Sequence, residues 1–204
     1  MQLIARQRDE NLRAAFAIDV SLYTDDLLVF IDETGCDRRD ALRKYGYGLR
    51  GKRVKCQKLL VRGERISVIA AMTVRGVLDM KIVRGSVTGD VFVDFIERQL
   101  LPHLCTFNGV NPASVVVLDN FSVHHVPGVQ IAIKDVGALV HYLPPYSPDY
   151  NPIELLFFKV KYVIRQLEIE LSMTNDIETI VLAAFSTVTA EDCTNWIESC
   201  GIYY

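Results

Sequence analysis

Two short apolar runs in this 204-residue chain end in a carboxylate: LLVFID closes on Asp32, and SVVVLD closes on Asp119. A third acid, Glu154, opens a long apolar-periodic segment, IELLFFKVKYVIRQLE, just after the loop PPYSPDYNP. A carboxylate drawn partly out of water must be paired, protonated or bound to a cation. Converging carboxylates repel one another unless a cation sits between them. Mg²⁺ suits such a set, because it takes a few carboxylate oxygens and keeps water and substrate phosphate as its other ligands. Two ions roughly 3.5–4 Å apart can hold the attacking and leaving oxygens of an in-line phosphoryl displacement. Metal-dependent phosphoryl transfer is therefore one reading of these acids, and surface carboxylates at strand ends are the other.

The neighbours divide in the same way. Glu33 is either a supporting group behind the acids or a solvated side chain. Asn120 either hydrogen-bonds a ligand or caps the loop after the strand. His124 and His125 are adjacent, and His124 is the one taken to face the site; the other reading of either is a satisfied loop histidine. Asn151 is read either as a supporting group beside the acids or as the cap of the helix that carries Glu154, with Pro152 in its first turn. His141 reads as structural, and Tyr146 and Tyr150 as packing under the loop. The phosphate loop GxxxxGK[ST] and the GxSxG and HExxH motifs do not occur.

The elements that must position these residues follow from pattern. LLVFID (27–32) reads as a buried strand with an acid at its exit. Residues 58–74 read as two β-rich runs around a glycine-containing turn, and a third strand is expected at 77–83. Thr88 is a cap candidate for a helix in 88–104, with Val91, Phe92, Phe95, Ile96 and Leu100 at helical spacing. A strand at 114–119, a short helix stopping at Gly137 and a strand at 138–144 follow. Helices are then expected from Pro152 and within 174–188 and 190–200, with a short amphipathic helix at the N-terminus. This order predicts a single α/β domain, a mixed sheet with helices on its faces. In open α/β sheets ligands gather at the carboxyl ends of strands.

Charge is unevenly placed. From Arg38 to Arg65 there are eleven Lys and Arg against two acids, whereas after Arg165 there are seven acids and no Lys or Arg. The first segment suits a polyanion and the C-terminal end does not. Five cysteines, an odd number without a CxxC pair, argue against a zinc site or disulfide framework and suit reduced thiols in an intracellular compartment. No run approaches a membrane span of about 18 apolar residues, and the charged N-terminus lacks a secretory h-region.

VLDNFSVHH (117–125), LPPYSPDYNPIELLFFKVK (143–161) and FIDETGCDRRDALRKYGYGLRGKRV (30–54) together resemble the DDE endonuclease domain of mariner-type transposases and their bacterial insertion-sequence relatives. The blocks stand in the family's order, and 34 residues separate Asp119 from Glu154. The resemblance implies a ribonuclease-H-like fold, a five-stranded mixed sheet flanked by helices, across residues 1–204, with 1–25 as a helical extension and 168–204 as acidic closing helices. It implies Asp32, Asp119 and Glu154 as catalytic acids binding two Mg²⁺ or Mn²⁺ ions. The implied chemistry is strand nicking by water and then strand joining by a 3′-hydroxyl, without a covalent protein–DNA intermediate. It places Arg38, Arg39, Arg43, Lys44, Arg50, Lys52, Arg53, Lys55 and Lys58 along the DNA backbone as salt-sensitive, sequence-independent contacts. A homodimer, and a nuclear location if the source is eukaryotic, belong to the same expectation. Only 31 residues precede Asp32, too few for the family's paired helix-turn-helix modules, so sequence-specific end recognition is expected to be missing. A non-catalytic DNA-binding or assembly module, and a ribonuclease acting on RNA–DNA hybrids, are the competing functions.

Overall fold

The computed structural model describes residues 8–36, 47–52, 66–167, 176–200 and 202. Its centre is a five-stranded sheet: β1 (Leu28–Cys36), β2 (Ile66–Thr73), β3 (Gly76–Arg84), β4 (Val115–Leu118) and β5 (Leu139–Tyr142), in the order β3-β2-β1-β4-β5. β1, β2 and β3 are antiparallel neighbours, while β4 joins β1 and β5 joins β4 in parallel. The fold is the expected mixed α/β sheet of ribonuclease-H type.

Strand residues alternate between two faces, and each face has its own apolar core. Leu28 and Phe30 of β1, with Val115 and Val117 of β4, pack against α1 (Glu10–Ser21), α4 (Ile153–Gln166), α5 (Ile177–Phe185) and α6 (Ala190–Ser199). Val29 and Ile31, with Val116 and Leu118, pack on the other side against α2 (Gly89–Phe95) and α3 (Pro127–Asp135). β2 is buried along its whole length, as expected of a strand covered on both faces.

Local signals explain the helix ends. The Thr88 side chain accepts the Val91 N–H and starts α2, which then widens into a π-helical turn over Ile96–Leu100. Pro127 opens α3, and Gly137 closes it at φ +79°, a conformation that favours glycine. A side chain there would also strike Thr106, whose Cγ2 lies 2.7 Å from the position a Cβ would take. Thr189 and Asp192 form a reciprocal capping box at the start of α6.

Two expectations are corrected, and a third lies partly outside the described residues. Asp32 does not end its strand; β1 runs on to Cys36 because residues 33–36 keep pairing with β2 after β4 has stopped. Asn151 does not cap α4: Pro152 occupies the N-cap position, no side chain caps that end, and the Asn151 amide goes elsewhere. The hairpin is formed by β2 and β3 around Val74–Arg75, while the first arm of the turn expected in 58–74 lies outside the described residues. Among the described residues, no helix is long and apolar enough to cross a membrane.

Candidate active site

Sheet register brings the first two acids together. The last parallel pair of β1 and β4 is Ile31 with Leu118, so Asp32 and Asp119 are the residues that follow it along the courses of these two neighbouring strands. By alternation both fall on the face that carries Phe30 and Val117, the face covered by α4. Glu154 stands in the first turn of α4. The three acids line one cleft of about 440 Å³, together with Asn120, Phe121, Asn151 and the loop Leu143–Pro148.

Asp32 is 7% exposed. Its Oδ1 accepts the Glu33 backbone N–H at 2.7 Å, and its Oδ2 accepts Asn151 Nδ2 at 2.9 Å. Burial first, then the charges of Asp119 and Glu33, push this carboxyl up to about 8. Asp119 behaves oppositely. Burial alone would raise it, but the hydrogen bond and charge of His124 outweigh that and hold it below the usual carboxylate range. Glu154 is exposed, and partial desolvation in the cleft raises it, with Lys161 opposing and Asp119 adding.

Glu33 points to the opposite face from Asp32, and there it meets His124. The imidazole is fully buried; Nε2 lies 2.8 Å from a Glu33 oxygen and Nδ1 pairs with Asp119 Oδ1. Burial would lower the His124 pKa, but these two carboxylates push it up to about 10, so it is an imidazolium donating from both nitrogens. The ring packs on Phe92, centroids 4.4 Å apart, and the His124 carbonyl accepts the Tyr142 hydroxyl at 2.9 Å.

The donor chemistry fits a divalent cation. Ligand atoms of Asp32, Asp119 and His124 lie within 4.8 Å of one another. His124 is the member to set aside: a doubly protonated imidazole between two carboxylates has no lone pair to give. Asp119 Oδ1 takes both His124 and the Phe121 backbone N–H, the latter at 3.0 Å, which leaves Oδ2 for a ligand. Glu154 lines the same cleft but stands outside the close group, so it would complete the set from the α4 side.

The family model of the DDE superfamily endonuclease matches residues 27–177, from the residue before β1 through α4 to the first residue of α5. The chain belongs to this superfamily. The DDE domain also superposes on solved structures. One is the Mos1 transposase paired-end complex with left transposon end, with TM-score 0.70 at 14% identity, covering 97% of this chain and 61% of that one. Another is the catalytic domain of Mos1 mariner transposase, with TM-score 0.60 at 12% identity, covering 97% of this chain and 90% of that one. A third is the Mos1 catalytic domain with Raltegravir and Mg, with TM-score 0.60 at 14% identity, covering 97% and 91%. At these identities the likeness establishes the shared fold. The chain thus spans 61% of the length of the Mos1 chain in the paired-end complex. No curated protein matches the sequence.

Other expected residues fall in different places. Asn120 pairs with His125, Oδ1 to Nε2 at 2.5 Å, and His125 stacks on Tyr142 at 4.2 Å. His141 meets the Tyr23 hydroxyl at 3.1 Å on the face of the sheet that carries Val117 and is structural. Tyr150 is buried as expected, but Tyr146 is 56% exposed on the cleft, at φ +56°. Of the basic candidates, Arg50 and Lys52 are exposed; Arg38, Arg39, Arg43, Lys44, Arg53, Lys55 and Lys58 lie outside the described residues. Sequence reasoning missed Phe121, which also lines the cleft, and had no signal for it beyond its nearness to Asp119.

Proposed function

We propose that this DDE domain is the catalytic domain of a mariner-type DNA transposase, cutting and joining DNA strands by metal-dependent phosphoryl transfer at Asp32, Asp119 and Glu154. The observation that carries the proposal is the pairing of Asp32 and Asp119 one residue past the end of the β1–β4 ladder, facing a cleft that Glu154 also lines. Two Mg²⁺ or Mn²⁺ ions, when bound, would supply Lewis acidity toward the scissile phosphate and the attacking water or 3′-hydroxyl. The Mos1 catalytic domain has been solved with Mg and with Mn, which supports that choice of ion.

The chain's own residues have separable tasks in this reading. Asp32 is held in place by Asn151 and the Glu33 N–H, where its carboxylate would serve as a ligand to a cation. Asp119 is kept ionised and oriented by His124. Glu33 balances the His124 charge from behind the site. The exposed Arg50 and Lys52, with the rest of the basic run from Arg38 to Lys58, would neutralise DNA phosphates. Pairing of two copies on DNA belongs to the same proposal, supported by the likeness to a paired-end complex. So does an intracellular setting, nuclear in a eukaryote, which the buried thiols of Cys193 and Cys200 support.

Incubation of the purified chain with supercoiled plasmid and Mn²⁺ tests the proposal. Nicked circles that vanish on chelation are the expected outcome. Cleavage confined to RNA–DNA hybrids would reassign the domain as a hybrid ribonuclease, and tight DNA binding without cleavage would make it a binding module.

A further inference from the structure

Helix α1 precedes the span matched by the family model, yet it grips the wall of the cleft. Arg13 on α1 is 3% exposed, an unusual burial for a guanidinium. Its Nη1 and Nη2 donate to the two oxygens of Asp149 at 2.9 and 2.6 Å, a bidentate fork. Its Cζ lies 3.7 Å from the centroid of the Tyr150 ring, and that ring stacks on Phe16 of α1 at 6.1 Å and 22°. Asp149 and Tyr150 are thus both fastened to one helix more than 120 residues away in sequence.

The fastened segment is the one the cleft depends on. It contains Pro144, Pro145, Pro148 and Pro152, so its backbone has few donors with which to hold itself. A single short turn over Pro148–Tyr150 is its regular structure. Asn151 follows directly and donates to Asp32; Glu154 follows three residues later. Arg13 ties this loop to α1 through the Asp149 fork and the Tyr150 ring, with Arg8 Nη1 standing further off, 3.7 Å from Asp149 Oδ2.

We infer that α1 braces the active-site loop, with Arg13 as a positioning residue that acts through Asp149 and Tyr150 to hold Asn151 and Glu154 against Asp32. The inference rests on the reading of the cleft as a metal centre, but the brace itself can be measured without metal or DNA. Arg13 touches none of the three acids. Its side chain is matched to the loop by shape as well as charge, since a lysine could neither fork onto Asp149 nor stack on Tyr150 in the same way.

The test compares the parent chain with Arg13→Gln, Asp149→Asn, the double variant and Arg13→Lys. Two readouts are taken: amide hydrogen exchange over residues 144–154, and the Mn²⁺ concentration that gives half-maximal nicking. Each single substitution is expected to speed exchange in the loop while α2 and α3 keep their protection. The Mn²⁺ requirement should rise by about tenfold, the scale of losing a group that orients a ligand, and the rate should recover at saturating Mn²⁺. The double variant should lie close to Arg13→Gln alone, because Asp149→Asn cuts a fork that Arg13→Gln has already removed together with the contact to Tyr150. Arg13→Lys should recover only part of the loss. A general loss of melting temperature with unchanged loop exchange and unchanged Mn²⁺ requirement would overturn the inference, as would effects of the two substitutions that add. If Arg13→Gln does not fold, Asp149→Asn decides the matter alone, since that side chain is 42% exposed. If the parent chain nicks nothing, the metal-centre reading fails, and loop exchange still shows whether the brace exists.

Discussion

Asn151 Nδ2 donates to Asp32 Oδ2 at 2.9 Å, joining residues 119 positions apart within the floor of the cleft. The bond is buried, so deleting one partner leaves the other without a substitute. Asn151→Ala should cost about 1–3 kcal/mol in urea denaturation, the usual range for a stranded buried polar group. It should also push the Asp32 carboxyl higher, because a donor to its charged form is gone. A variant as stable as the parent, with an unmoved pH profile for Mn²⁺ binding, would show that this bond positions nothing.

Asp32 gives stability an unusual pH dependence. Its folded pKa of about 8 stands above the ordinary carboxylate value, so the folded chain keeps a proton that the unfolded chain has released. The contribution is fully present below about pH 4 and is lost as pH rises through about 8. Asp32→Asn removes this loss, with the Asn151 amide turning over to present its oxygen. Without metal, the variant should melt above the parent by a margin that widens between about pH 4 and about pH 8 and then levels. Calorimetric scans across that range check it, and a margin independent of pH would contradict it.

His124 shifts in the same direction, a base whose folded pKa of about 10 lies above its unfolded value near 6.5. Its stabilising share is complete below about pH 6.5 and disappears as pH rises through about 10. His124→Gln should therefore destabilise the chain most near neutral and acidic pH, by about 3 kcal/mol for breaking a buried ion pair, and least at high pH. Denaturation curves at two pH values decide this; a larger loss at the alkaline one would mean the imidazole is not charged.

Metal binding should carry the signature of the Asp32 proton. A cation binding there must displace it at neutral pH, so Mn²⁺ affinity should climb with pH and flatten above about 8. Each hundredfold excess of Mn²⁺ over its dissociation constant should add about 2.7 kcal/mol to the parent and almost nothing to Asp32→Asn. Titration calorimetry in buffers of different ionisation heat reads the released proton directly, and binding that releases none would count against Asp32 as a ligand.

The parts of this site that were legible in sequence are those set by local pattern. Two β-branched runs ending in Asp forecast neighbouring strands, and alternation then puts Asp32 and Asp119 on one face and Glu33 on the other. What pattern cannot reveal is a partner distant in sequence. Asn151 stands one residue before the N-cap position, which Pro152 occupies, and its amide NH2 donates to the buried carboxylate of Asp32, a partner 119 positions away. The sequence puts His124 beside the site but does not show the ion pairs that hold it, because its two carboxylates come from positions 33 and 119. Arg13 and Asp149 are 136 residues apart and share no motif, so their fork becomes visible only once α1 lies against the loop. Asp32 looked like a strand end because the apolar run stops there, whereas pairing with β2 continues through polar residues to Cys36.

The most direct test is the rate of Mn²⁺-dependent nicking of supercoiled DNA by the parent and by Asp119→Asn, purified side by side and both shown to be folded. Asp119→Asn keeps the shape of the side chain and removes its charge, so it isolates the carboxylate. If Asp32, Asp119 and Glu154 form one metal centre, the substitution abolishes nicking while DNA binding through the basic segment persists. Equal nicking by the two proteins would contradict the assignment, because strand cleavage would then be proceeding without the acid on which the centre is built.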